Sequence, residues 1–228
     1  MKNFTLTTEE TEIIESIITL AINNKIEDTI VRSNAEAIGF GEWNERVKSY
    51  CEDHGIQCFR GQTKAVFIVQ SLQNWVIKVP FLFPLNFGVG RGTITNYCEV
   101  ERQVYEMAVA EHLGDYFAPC YFYREEGGIP FYIQQRVEHR EDFNEEMFFK
   151  YCSSWISPEE YESEDAYYSA VNYDVDSMDD EARVEAIFGY DNSSEILNFL
   201  DAHNVNDIHS GNFGYYNGSP VLIDYSGF

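Results

Sequence analysis

Near the start of the chain, hydrophobic residues recur at the spacing of a helix. Thr7 and Glu10 have the spacing of a capping box, in which two side chains satisfy amides of the first helical turn. The apolar positions that follow predict one buried helix face: Ile13, Ile14, Ile17, Ile18 and Ala21. A second helix is predicted over residues 42–53, before the helix-ending residue Gly55. The first third of the chain is therefore expected to be helical up to the strands that follow.

The pattern then changes to an alternation of apolar and polar residues, which is typical of strands. It predicts three antiparallel strands, a helix and two more strands, over residues 58–60, 65–69, 75–80, 96–113, 120–123 and 129–137. Glycines 88, 90 and 92 indicate a loop before that helix. Residues 141–202 are again typical of helices, and the last residues predict a hairpin with strands 213–216 and 221–223.

The predicted hairpin brings two oxygen-bearing side chains together. If residues 217–219 form a three-residue turn, Asn212 lies directly opposite Asp224, with Cβ atoms about 4.5–5.5 Å apart. Mg²⁺ usually takes one or two protein oxygens together with phosphates and waters. The spacing therefore predicts a magnesium site at Asn212 and Asp224. Asp207, on the preceding loop, is placed to accept a proton beside that metal.

These motifs resemble those of the protein-kinase-like superfamily. Its catalytic loop has an Asp base five residues before an Asn metal ligand, and a second metal-binding Asp opens an Asp-Phe-Gly-type motif. Asp207 and Asn212 keep that spacing, and the sequence Asp224-Tyr225-Ser226-Gly227 resembles the second motif with one additional residue. His209 is more similar to the aminoglycoside and choline kinase branch, because Ser/Thr protein kinases usually carry Lys there.

The resemblance also assigns roles to residues upstream. Lys78 lies in an otherwise apolar strand, and in this superfamily that lysine contacts the ATP phosphates and pairs with a helix glutamate. Glu101 matches that glutamate by its spacing, whereas Glu99 would face elsewhere on the helix. Gly61 and Lys64 occupy the phosphate-covering turn, although the turn has one glycine where the family has three. Backbone groups near Gln135 and Val137 would contact the adenine.

Each motif also has an ordinary structural explanation. Lys78 on an edge strand could extend its ammonium group to water. Glu101 is one of many helix acids, and Asp224 could be a surface acid. Asp207 and Asn212 are residue types that favour turns. The fixed order of all five motifs along the chain favours the kinase-like interpretation.

The resemblance implies an α+β, two-lobed kinase-like fold. We expect an N-terminal helical extension over residues 1–56 and an antiparallel-sheet N-lobe with one key helix over residues 57–137. Residues 138–228 would form a minimal, acidic, mostly helical C-lobe with the catalytic loop and a terminal β-hairpin that holds the metal. Kinases of this superfamily continue well beyond the Asp224 motif, whereas here Phe228 follows it by four residues. An acceptor would therefore be held by residues 138–202, by the N-terminal helices or by a second chain.

Charge changes the functional interpretation. The 228 residues include 39 Asp and Glu but 15 Lys and Arg, and the formal net charge is -24. Broad binding of nucleic acid or of anionic lipid needs a basic face, so neither partner is expected. Disorder is not expected either, because 16% of the residues are aromatic. From residue 151 onwards, sixteen acidic residues accompany a single basic residue, Arg183.

Two functions follow from these observations. The first is an ATP- and Mg²⁺-dependent phosphotransferase, with Lys78, Glu101 and Asp207 as catalytic residues. Its acceptor would be a protein hydroxyl or a small molecule, and a cationic acceptor would suit the acidic C-terminal part. The alternative is a kinase-like scaffold that binds and inhibits a basic partner protein, as a mimic of DNA charge. No spanning apolar run and no signal-peptide pattern are present, and the five cysteines lack zinc-site spacing. We expect a bacterial or phage protein of the cytoplasm, which is the host cytoplasm if it is viral.

Overall fold

A computed structural model of the chain describes residues 4–23, 47–61, 63–80, 96–206 and 208–226. The chain divides into two compact units. The first contains Met1–Gln103 and Pro119–Arg136, and the second contains Val104–Ala118 and Val137–Phe228. Helices and antiparallel strands both contribute, so the α+β prediction is confirmed. The division into segments 1–56, 57–137 and 138–228 stays a prediction.

The first unit is built on a five-stranded sheet. Its strands are β1 (Ile56–Arg60), β2 (Lys64–Val69), β3 (Trp75–Pro80), β4 (Cys120–Glu126) and β5 (Ile129–Gln135). They lie in the order β1-β2-β3-β5-β4, and every neighbouring pair is antiparallel. All six residues of β3 are buried because it is the central strand, which suits its nearly continuous apolar sequence.

One face of this sheet carries the main core of the first unit. Helix α1 (Thr8–Asn23) and the short helix α2 (Ser49–Asp53) contribute to it, since Ile14, Ile17 and Cys51 share a cluster with the sheet residues Phe67 and Ile77. The predicted capping box is confirmed: the Thr7 amide donates to Glu10 Oε2 at 2.8 Å, and the Glu10 amide donates to Thr7 Oγ1 at 3.1 Å. The amphipathic pattern of α1 therefore covers the sheet.

Helix α3 (Tyr97–Ala110) has residues in both units, which divide between Gln103 and Val104. In the second unit, four helices follow: α4 (Glu141–Ser153), α5 (Glu164–Asp176), α6 (Asp180–Phe188) and α7 (Tyr190–Ala202). Ser163 and Asp179 accept backbone hydrogen bonds at the starts of α5 and α6. Gly189, with φ of 81°, separates α6 from α7 because few other residues adopt that conformation.

The second unit also contains a three-stranded antiparallel sheet. It consists of β6 (Glu138–His139), β7 (Phe213–Tyr216) and β8 (Ser219–Leu222), in that order. Gly214 lies where an added Cβ would clash with Cγ2 of Val137, so the close packing at β7 requires glycine. The sequence pattern did not predict β6, which has two residues, too few for an alternation to be read.

The other predicted strands are observed with small shifts of their ends. The helix predicted over residues 96–113 ends earlier, at Ala110, and the helical stretch 141–202 is divided into four helices. Several predictions lie outside the described residues: the helix start at residues 42–46, the glycines 88, 90 and 92, Asp207 and Gly227. Among the residues that the structure describes, no helix is both long and apolar enough to cross a membrane.

Candidate functional site

The most distinctive feature of the first unit is a buried ion cluster on the sheet face opposite to the core. Lys78 is on the central strand β3, and its Nζ lies 2.7 Å from Glu101 Oε2. Lys64, at the start of β2, places its Nζ 2.5 Å from Oε1 of the same carboxylate. Glu101 is completely buried, and the two lysines are 4% and 3% exposed. One carboxylate of α3 therefore joins two neighbouring strands.

The cluster explains how a lysine is tolerated in an apolar strand. An unpaired buried ammonium group is costly, whereas a paired and hydrogen-bonded one is compensated. The edge-strand alternative for Lys78 is wrong, because β3 is central and the side chain does not reach water. Glu99, two residues before Glu101, has different partners: Arg102, Gln103 and the Tyr132 hydroxyl.

Two pKa shifts accompany this packing. Burial, above all, raises the pKa of the Cys120 thiol well above its usual value, and the nearby Glu101 carboxylate raises it further. Cys120 is consequently a protonated, unreactive thiol. The pKa of Glu99 is lowered, mainly by its hydrogen bonds from the Arg102 guanidinium. Glu99 thus remains ionised at the start of α3, where a negative charge is favourable.

The turn between β1 and β2 contains the predicted phosphate-covering residues. The Gly61 amide donates to the Lys64 carbonyl at 2.9 Å, which closes the turn. A Cβ added at Gly61 would lie 3.4 Å from the same carbonyl oxygen, which is an ordinary contact. The local backbone therefore does not require glycine here. The roles of Gly61 and Lys64 in nucleotide binding stay predictions, and Lys64 has the additional role of pairing with Glu101.

At the end of β5, where contacts with adenine are predicted, two backbone amides are already engaged. The Gln135 amide donates to Pro119 O and the Arg136 amide to Asn74 O, both at 2.8 Å. These donors are unavailable to a ligand unless those bonds break. The predicted contact of Gln135 with adenine would consequently use the Gln135 carbonyl group. Val137 is half-buried. Gln135 and Val137 fall in different units.

In the second unit, the loop before β7 is held by side chains from other elements. Asn144, fully buried in α4, donates to Ser210 O at 2.7 Å and to Phe213 O at 3.2 Å. Its own carbonyl accepts from the Tyr215 hydroxyl at 2.9 Å. Arg183 of α6 donates to Ile208 O at 2.6 Å. The backbone on both sides of His209 is therefore fixed by hydrogen bonds.

The loop also contains internal hydrogen bonds. His209 Nδ1 accepts from the Gly211 amide at 3.0 Å, and the Asn212 amide donates to His209 O at 2.9 Å. His139 of β6 lies 3.2 Å from Gly211 O through Nε2. These contacts give His209 a role in bracing the loop. Asp207 lies outside the described residues, so its role as a base stays a prediction.

The hairpin register differs from the prediction by one residue. Tyr216 pairs with Ser219, so the turn has two residues, Asn217 and Gly218, with φ of 52° and 83°. Both positive φ angles suit the tight hairpin turn that Asn-Gly favours. The Ile223 amide consequently donates to Asn212 O at 3.0 Å, and Ile223, not Asp224, lies opposite Asn212. The predicted pairing of Asn212 with Asp224 across the hairpin is therefore wrong.

The oxygen donors predicted to bind metal are nevertheless both in the second unit. Asn212 is buried, whereas Asp224 is half-buried and its Oδ1 accepts from Ser226 Oγ at 3.2 Å. Tyr225 fixes the chain beside Asp224, because its hydroxyl donates to Ala118 O at 2.5 Å and its ring packs on Phe117. In the described part of the chain, no group of three or more His, Cys, Asp or Glu side chains could hold a metal.

Sequence reasoning missed Asn144 and Arg183 as residues that shape the loop, and Lys64 as a partner of Glu101. Asn144 lies in a helix among many polar residues, and its partners are about 70 positions away, so no local pattern marks it. Arg183 had one signal: it is the single basic residue after Lys150. Lys64 could have been found from the strand pairing, which places it beside β3.

Comparison with known proteins adds little. No protein-family model matches the chain, and no curated protein matches it. Among solved structures, it is similar to the crystal structure of an aminoglycoside phosphotransferase from Alicyclobacillus acidocaldarius subsp. acidocaldarius, with 13% sequence identity and a TM-score of 0.30. The match covers 75% of this chain and 62% of that chain, which is less than two thirds of its length. A similarity this low carries no argument about function.

Proposed function

We propose that this chain is an ATP- and Mg²⁺-dependent phosphotransferase. The single observation that carries the proposal is the buried ion pair between Lys78 of the central strand and Glu101 of α3. Charges are rarely placed on a central strand for stability alone, because the desolvation of two ions offsets most of their attraction. A fixed ammonium group is, however, what phosphate oxygens need.

Lys78 would orient the phosphates of the nucleotide, and Glu101 would hold Lys78 in one conformation. Lys64 supports the same assignment, because it adds a second ammonium group at the same carboxylate. Both lysines are buried, so a phosphate would reach them only after neighbouring groups move. The adenine would be met by backbone groups near Gln135 and Val137.

In the second unit, Asn212 and Asp224 would hold Mg²⁺. Their amide and carboxylate oxygens are the donors that this ion prefers, and two protein oxygens are enough when phosphates and waters complete the shell. The bound ion would supply neutralisation of phosphate charge. Asn144 and Arg183 would keep the loop in place, and Asp207 would accept the proton of the acceptor hydroxyl. The acceptor would be a protein hydroxyl or a small molecule, and a cationic one would suit the excess of acidic residues after residue 151.

The proposal is tested with purified protein, Mg²⁺ and ATP labelled on the γ-phosphate. Release or transfer of the label is measured for the wild type and for Lys78→Met, Asp224→Asn and Lys150→Met. Lys150 is the matched control, because it is an exposed lysine in an ordinary helix pair with Glu146. We expect turnover in the wild type and the control and its loss in the other two variants. Equal turnover in all four proteins, or none in the wild type, would overturn the proposal.

A further inference from the structure

A continuous row of four aromatic rings lies on the second unit. Phe149 of α4 stacks on Tyr168 of α5 with ring centroids 5.9 Å apart. Tyr168 contacts Tyr167 at 5.4 Å, and Tyr167 contacts Tyr161 at 6.1 Å. We call these four residues the aromatic ridge. The contact between Phe149 and Tyr168 joins α4 to α5. The contacts of Tyr167 extend the row to Tyr161, which precedes α5.

The ridge is accessible to solvent. Tyr168 is 45% exposed, and the other three rings are partly exposed. The ring contact between α4 and α5 involves Phe149 and Tyr168, so it does not account for the position of Tyr161. A row of tyrosines open to water is a feature of surfaces that bind partners, because each ring offers apolar area with little conformational entropy to lose.

Carboxylates flank the ridge closely in sequence. Five exposed acids lie between residues 158 and 166: Glu159, Glu160, Glu162, Glu164 and Asp165. No lysine or arginine occurs from residue 151 to residue 182. Within the described ranges, no ion pair engages any of these five carboxylates. The negative charge beside the rings is therefore uncompensated by neighbouring side chains.

We propose that the aromatic ridge and its flanking acids bind an arginine-rich segment of a partner protein. Guanidinium groups stack on tyrosine rings and pair with carboxylates, so an arginine side chain can contact both the rings of the ridge and the acids beside it. The acids would steer the basic segment towards the ridge, and the rings would hold it at short range. This binding goes beyond the proposed phosphotransfer and does not depend on it.

The test uses the full chain and a short peptide of alternating arginine and glycine, titrated calorimetrically. The key variant is Tyr161→Ser with Tyr168→Ser, which removes two rings and no charge. Tyr190→Ser is the matched control, since Tyr190 is a 78% exposed tyrosine on α7. We expect the affinity to fall about tenfold in the double variant and to stay the same in the control. A Tyr161→Phe, Tyr168→Phe variant keeps the rings and should retain the affinity.

The salt dependence gives a second readout. Because the net charge is unchanged, the slope of affinity against salt concentration should be the same in the wild type and the double serine variant. Equal affinities of the double serine variant and the Tyr190→Ser control would overturn the proposal, since binding would then reflect net charge alone. Absence of binding by the wild type at low salt would overturn it as well. Matching circular dichroism spectra of the variants exclude loss of the fold as the cause.

Discussion

The ammonium group of Lys64 lies 2.5 Å from Oε1 of Glu101, on the carboxylate whose other oxygen is held by Lys78. Two positive side chains therefore share one fully buried negative side chain. The carboxylate is the common element, because it is the partner of both lysines. Removal of the Glu101 carboxylate should therefore affect stability differently from removal of either lysine ammonium group.

Replacement of Glu101 by glutamine should be strongly destabilising. The variant keeps the shape of the side chain but leaves two buried ammonium groups without their carboxylate, and the loss of a buried partner typically costs about 3–5 kcal/mol. Urea unfolding of both proteins measures the difference in the free energy of unfolding. Glu146→Gln is the control, because its exposed pair with Lys150 should contribute less than about 1 kcal/mol. Similar losses in the two variants would contradict the cluster.

The two lysines should be energetically coupled. Lys64→Met or Lys78→Met alone leaves a neutral pair, so each single loss should be modest. The double variant leaves a buried carboxylate without either ammonium group, and its loss should exceed the sum of the single losses by about 1 kcal/mol or more. A double-mutant cycle of unfolding free energies measures that excess. Additive losses would show that the lysines act independently of a shared partner.

Replacement of Asn144 by leucine should loosen the loop over residues 208–213. The variant has a similar volume but leaves the Ser210 and Phe213 carbonyls without their donor. Each buried group left unsatisfied costs about 1–3 kcal/mol, so unfolding should become easier by about that amount or more. Hydrogen exchange of the loop amides should be faster than in the control, Asn172→Leu, which alters an exposed position of α5. Unchanged exchange would exclude Asn144 as the residue that holds the loop.

The start of α3 should be sensitive to acid. Arg102 lowers the pKa of Glu99 in the folded state below its ordinary value of 4.5, so folding favours the carboxylate. The resulting stability is present above the unfolded pKa and is lost as the pH falls through the folded pKa. The stability difference between the wild type and Glu99→Gln should therefore shrink between neutral pH and pH values below 4.5. A difference that is constant with pH would contradict the ion pair with Arg102.

Much of the fold could be predicted from the sequence because the relevant signals are local. The capping box at Thr7 and Glu10 specifies the start of α1, and the apolar run around Lys78 indicates a strand, although its central place in the sheet was not predicted. The partner of Lys78 could be predicted as well, since the resemblance supplied both the strand lysine and the helix glutamate. These agreements concern residue placement, and the catalytic roles of both residues stay predictions.

The remaining features depend on contacts that local patterns do not contain. The predicted hairpin register differs from the observed one by one residue. The sequence Asn217-Gly218-Ser219 is compatible with a two-residue and with a three-residue turn, and the positive φ angles of Asn217 and Gly218 identify the two-residue turn. The contacts of Asn144 depend on how α4 packs beside the loop. The second cation on Glu101 depends on the pairing of β2 with β3.

The most direct test of the central claim is the binding of Mg·ATP, measured by calorimetry without any acceptor. The wild type and Lys150→Met should bind with the same affinity, whereas Lys78→Met and Asp224→Asn should each weaken binding by about tenfold or more, which corresponds to about 1.4 kcal/mol. That result would support nucleotide phosphates at the Lys78–Glu101 pair and Mg²⁺ at Asp224. Failure of the wild type to bind Mg·ATP, or equal affinities in all four proteins, would contradict it.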